Sequence, residues 1–134
     1  MRTARICTLI VLLISASRCF SSDWWLDPER GCGTKDAWSK THRIGDLPGC
    51  DGDLPKDASA GETAMHNAKS LMHSAERILD QKRTDGVEDL IERATGIIDS
   101  APGESRVNAS KQFYKEATAM LNGRLRELDQ LSQR

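Results

Sequence analysis

From position 59 onward, apolar residues recur every three or four positions, the spacing of one face of a helix. In the first such stretch Ala64, Ala68, Leu71, Ala75 and Ile78 form the stripe, widened by Met65, Met72 and Leu79. It opens on Ser59-Ala-Gly-Glu62, an N-cap serine with glutamate three residues on, which is a capping-box pattern. A helix over about 60–83 is predicted. The second stretch carries Val87, Leu90, Ile91, Ala94, Ile97 and Ile98. It is predicted to start at Thr84 or Asp85 and to stop at Ser100-Ala-Pro-Gly103. The third runs from about Glu104 to Leu131 on Val107, Tyr114, Ala117, Leu121, Leu125 and Leu128, joined by Phe113 and Met120. Asn122-Gly123 interrupts it, since glycine disfavours a helix interior.

Short connections make helical neighbours antiparallel, and three one-faced helices can bury their stripes together. The expected fold is therefore all-α: an up-down-up three-helix bundle over 59–134. The segments AKSLMHSAERIL and YKEATAML do not align at a period of 34, so no helical repeat is predicted.

The pattern before position 59 is different. Arg2 and Arg5 precede a nine-residue apolar run, Ile6–Ile14, followed by the small and polar residues SASRCFSS. Such a run is too short for a bilayer span of about 20 residues but has the length of a signal-peptide core. A cleaved signal over 1–21, with the mature chain starting near Ser22, is expected, and no stable membrane insertion afterwards. Residues 22–58 are rich in Gly and Pro and have little apolar periodicity, so an irregular segment is expected there.

Cysteine usage sharpens this picture. Cys7 and Cys19 fall within the expected signal. Arg18 before Cys19 argues against lipid attachment, because that processing needs a small residue there. Cys32 and Cys50 remain, 18 positions apart, and in an oxidising compartment they are expected to pair. Closing such a loop stabilises by about 3 kcal/mol in the chain-entropy account. The expected location is secreted: extracellular, or periplasmic in a Gram-negative source.

Charge excludes some partners. The whole chain carries 19 basic and 20 acidic residues; losing Arg2, Arg5 and Arg18 with the signal leaves a formal charge of −4. A mildly acidic chain is a poor nucleic-acid binder, since that affinity rests on neutralising phosphates. No catalytic motif and no phosphate loop is found, and no cofactor is expected. His66 and His73 are seven apart, about 10 Å along a helix and too far to share one metal directly. Both are read as surface residues. Asp51, Asp53, Asp57, Ser59 and Glu62 imitate the spacing of a calcium loop, but Pro55 and Lys56 occupy positions that need an oxygen ligand and a glycine. No metal site is expected.

The candidate contact residues are Trp24, Trp25 and Trp38, either as an exposed aromatic patch for a partner or as a small core beside the disulfide, the latter being favoured by burial statistics. Asn108-Ala-Ser110 is a candidate N-glycosylation sequon. The functional expectation is an exported, non-enzymatic protein that binds another macromolecule, a protein or a cell-surface molecule. Two alternatives stand beside it: an effector or inhibitor of an extracellular enzyme, and a small metal-dependent hydrolase using His42, His66 or His73.

Overall fold

The structure is a computed structural model and describes residues 32–49, 54 and 56–133. Among these residues there are four α-helices and no strand. They are α1 (Lys35–Thr41), α2 (Ala60–Asp80), α3 (Val87–Ser100) and α4 (Ser105–Ser132), with a 3-10 turn over Ile44–Asp46. The protein is all-α.

The capping box at the start of α2 is formed in full. Ser59 Oγ accepts from the Glu62 amide, and Glu62 returns a carboxylate to the Ser59 amide. Ser59 Oγ also donates to Glu104 Oε1 at 2.8 Å, which ties the start of α2 to the start of α4. At the other end Asp80 accepts from Arg124 at 3.0 Å. The helices α2 and α4 therefore run in the same sense, start beside start and end beside end, with α3 returning against both.

Two boundaries differ from expectation for local reasons. α2 stops at Asp80, short of 83, because Lys82 turns into the left-handed region (φ 61°). The amides of Lys82 and Arg83 then close back on the carbonyls of Leu79 and Ile78, at 2.9 and 3.2 Å. This is a Schellman stop with lysine where glycine is usual. α3 starts at Val87 behind Gly86 (φ 71°), which lacks a side-chain cap, rather than at Thr84 or Asp85. α4, by contrast, passes through Asn122-Gly123 unbroken. A side chain at Gly123 would meet nothing within 4 Å. Gly123→Ala is thus expected to stabilise by about 0.5–1 kcal/mol through helix propensity alone, read as a higher denaturation midpoint at an unchanged slope.

The three long helices bury part of each predicted stripe, while Ala64, Leu71 and Ile78 of α2, Leu90 and Ile97 of α3, and Phe113, Met120 and Leu128 of α4 lie half-buried at the margin of the core. Met65, Ala68, Met72, Ala75 and Leu79 of α2, Val87, Ile91, Ala94 and Ile98 of α3, and Val107, Tyr114, Ala117 and Leu121 of α4 are all fully or almost fully buried. Alanines at Ala68, Ala75, Ala94 and Ala117 suit close helix approach. Gly61 marks a close approach of α2 to the α3–α4 connection, where a Cβ would lie 2.9 Å from the Pro102 carbonyl oxygen.

The segment before α2 is more ordered than its composition implies. Thr34 caps α1 by accepting from the Ala37 amide at 3.1 Å, and His42 ends it in the left-handed region. Where the sequence reads as irregular, a short helix forms because one large side chain, Trp38, anchors it to the bundle.

Candidate functional site: a strap over the α2–α4 groove

Residues 32–49 form a strap that crosses the bundle and is held by apolar anchors and buried polar bonds together. The apolar anchors are Trp38, Ile44 and Leu47, each at most 1% exposed. Of the two places open to Trp38, patch or core, the ring takes the core. Its indole Nε1 donates to Glu116 Oε1 of α4 at 3.4 Å, and its ring lies 4.8 Å from that of His42 in a tilted arrangement. Such a residue is unavailable as a surface contact unless the strap lifts.

The polar bonds converge on three consecutive carbonyls. Lys69 of α2 is fully buried, and its Nζ donates to Leu47 O at 2.9 Å and Gly49 O at 3.1 Å. Between them, Pro48 O accepts from the Tyr114 hydroxyl of α4 at 2.7 Å. A proline cannot donate from its own nitrogen, so its carbonyl is its only backbone polar group, and here it is satisfied. A further bond comes from the strap's own amide: Ile44 N–H donates to Glu76 Oε2 of α2 at 3.1 Å.

Glu62, Lys69 and Glu76 stand seven residues apart on α2, and all are at most 2% exposed. A buried row of two acids and one base beside an apolar stripe is costly unless every charge is bonded. The strap supplies those bonds for Lys69 and Glu76. The sequence reading missed this row. Its signal was present, in that charges at a seven-residue spacing adjoin the stripe, but the same spacing also describes a solvated flank. The histidines at 66 and 73 share that flank, and both are half-buried rather than on the open surface as expected.

At its two ends the strap closes on itself. Gly33 N–H donates to Gly49 O at 2.9 Å and Gly49 N–H to Gly33 O at 3.3 Å. Gly33 is required there, because a Cβ would fall 2.1 Å from the Leu47 carbonyl oxygen. Cys32 beside it is buried. Cys50 lies outside the described residues, as do Trp24, Trp25, Cys19 and the expected signal.

A charge cluster seals the strap's outer edge. Arg43 grips Asp80 with Nη1 and Nη2, at 3.3 and 2.6 Å, and Arg124 adds a third bond. These donors, Arg43 first, outweigh the opposing effect of burial and hold the Asp80 carboxyl down at about 2. Its ordinary value is 3.8, so folding favours the ionised form. That contribution is fully present above about pH 4 and is lost as the pH falls towards 2. Asp80→Asn is expected to flatten the acid limb of a stability–pH curve over that window. Because the carboxyl side chain is 35% exposed, the effect is a partial one.

Among the described residues no group of three or more His, Cys, Asp or Glu is placed to hold a metal ion, and no helix is long and apolar enough to cross a membrane. Asn108 is exposed in the first turn of α4, while Ser110 of the same sequon is buried. No family model, curated protein or solved structure matches this chain.

Proposed function

We propose that this is an exported, non-enzymatic protein that binds another macromolecule through the chain preceding its strap. The observation that carries this reading is how firmly the strap is fastened back to its first residues. Cys32 is buried and Gly33 is paired with Gly49, and Trp24 and Trp25 precede that fixed point by eight and seven positions in the sequence. Tryptophan recurs as an interface anchor because its ring offers a large area to bury against a partner. The export half rests on the positive, apolar and small-residue order of 1–21. Pairing of Cys32 with Cys50 is part of the proposal. It is supported by the two hydrogen bonds between Gly33 and Gly49, each the immediate neighbour of one cysteine.

The test has two steps. Intact mass of the protein from its native host reads the cleavage site and whether two thiol hydrogens are missing; a mature chain starting near Ser22 with both hydrogens lost is expected. The purified protein is then cross-linked to its partners, with Trp24→Ala/Trp25→Ala as control. Partner capture should fall at an unchanged melting temperature. Equal capture by the double variant would remove the tryptophans from the reading, and a chain retaining residues 1–21 would remove export.

A further inference from the structure

The turn between α2 and α3 carries a pair of cations found nowhere else in the chain. Among 19 basic residues, Lys82 and Arg83 are the only Lys or Arg that stand side by side. Neither lies in a helix, and from Gln81 to Gly86 every residue is exposed except Thr84, which is half-buried. Arg77, Arg93, Lys115 and Arg126 are exposed as well, but each sits inside a helix, whose backbone cannot extend without unwinding. The backbone of the turn is a second, separate feature. Lys82 is left-handed at φ 61°, a strained conformation for a residue with a Cβ. Extending residues 82–85 relieves that strain and gives up three backbone bonds, from the amides of Lys82, Arg83 and Val87 to the carbonyls of Leu79, Ile78 and Thr84. The Arg83 guanidinium is held by Gln81 and Asp85, both exposed, in contacts of little worth in water.

We infer that Lys82-Arg83 is a processing site, cut after Arg83 by an endoprotease that reads paired basic residues. Such an enzyme takes its substrate as an extended strand, with an acidic subsite for each cation. Exposed polar turns are where folded chains are nicked. In the step, water adds to the Arg83 carbonyl carbon and the bond to the Thr84 nitrogen breaks. Arg83 is left with a carboxylate, and the Thr84 nitrogen takes the proton and becomes an amine. The fold survives the cut. The first piece keeps the strap and α2, the second keeps α3 and α4, and their buried faces form one core. Bonds from Trp38 to Glu116, Ser59 to Glu104, Tyr114 to Pro48 and Arg124 to Asp80 join the pieces. All four cysteines precede the cut, so the product is a two-chain protein held together without a covalent link. The inference draws on export, as read above, for where the protease is met, but not on Trp24 and Trp25.

The experiment treats the full mature protein, folded, with an endoprotease specific for paired basic residues and follows the fragments by mass. A first cut between Arg83 and Thr84 is expected, slowed about a hundredfold by Arg83→Gln, which leaves an acidic subsite unpaired. Lys82 and Arg83 are exposed, so uncut Lys82→Gln and Arg83→Gln variants should melt as the parent does. The two fragments should elute together and separate only in denaturant. In the intact-mass measurement on protein from the native host, two chains divided after Arg83 are expected. The inference is overturned by absence of the cut, by a first cut elsewhere, by fragments that part without denaturant, or by a native protein that is a single chain across position 83. A native protein that starts near Ser22 but is undivided removes the cut alone and leaves export standing. One that is divided after Arg83 but retains residues 1–21 removes export and leaves the cut.

Discussion

Trp38→Ala is expected to lower stability by about 3–5 kcal/mol, the cost typical of emptying a buried aromatic site. The residue is 1% exposed and joins two elements far apart in sequence, α1 and α4. Its loss leaves a void under the strap, and α1 is too short to remain helical without it. Trp38→Phe should recover most of the packing and lose only the indole bond to Glu116, a deficit of about 1 kcal/mol. Urea denaturation of the two variants checks both values. A deficit below about 1 kcal/mol for Trp38→Ala would show that the ring is not a core element.

Lys69→Met is the second large effect, for a different reason. Methionine keeps most of the unbranched side chain, one atom short, but donates nothing. Leu47 O then loses its donor in a buried setting, whereas Gly49 O keeps Gly33 N–H. A buried acceptor without a partner costs about 1–3 kcal/mol. Removing a positive charge from between two buried acids, Glu62 and Glu76, adds to this. We expect a total of about 3 kcal/mol, a fall in melting temperature of roughly 10–20 °C for a domain of this size. The damage should be local. The amide of Ile44 should exchange faster while those of α3 keep their protection relative to global unfolding. Uniform loss of protection, or none, would contradict the assignment of Lys69 as the strap's central fastening.

These two residues also show what the sequence could and could not disclose. The long helices were legible because their burial is periodic: Met65, Met72 and Leu79, or Ile91 and Ile98, fall a whole number of turns apart, and Ser59 with Glu62 marks a start. Helix ends were legible only where a residue type enforces them. Pro102 and Gly103 stop α3 as read, but Lys82 ends α2 in a conformation its type disfavours, and no pattern announces that. The strap was not legible. Its anchors Trp38, Ile44 and Leu47 are six and three residues apart, which follows no helical or extended period. Their partners Lys69, Tyr114 and Glu116 lie in helices where a lysine, a tyrosine and a glutamate are unremarkable.

The strap's position in the chain has a consequence for the order of assembly. It is made before the bundle, yet Tyr114 and Glu116 lie 66 and 78 residues further on than the atoms they hold. During synthesis the strap must therefore wait, undocked, until α4 has been completed, and its docking is the slow, long-range step of a fold whose other contacts are mostly between neighbours. In that interval Trp38, Ile44 and Leu47 are exposed together, which makes the nascent chain, rather than the finished protein, the form most prone to aggregate.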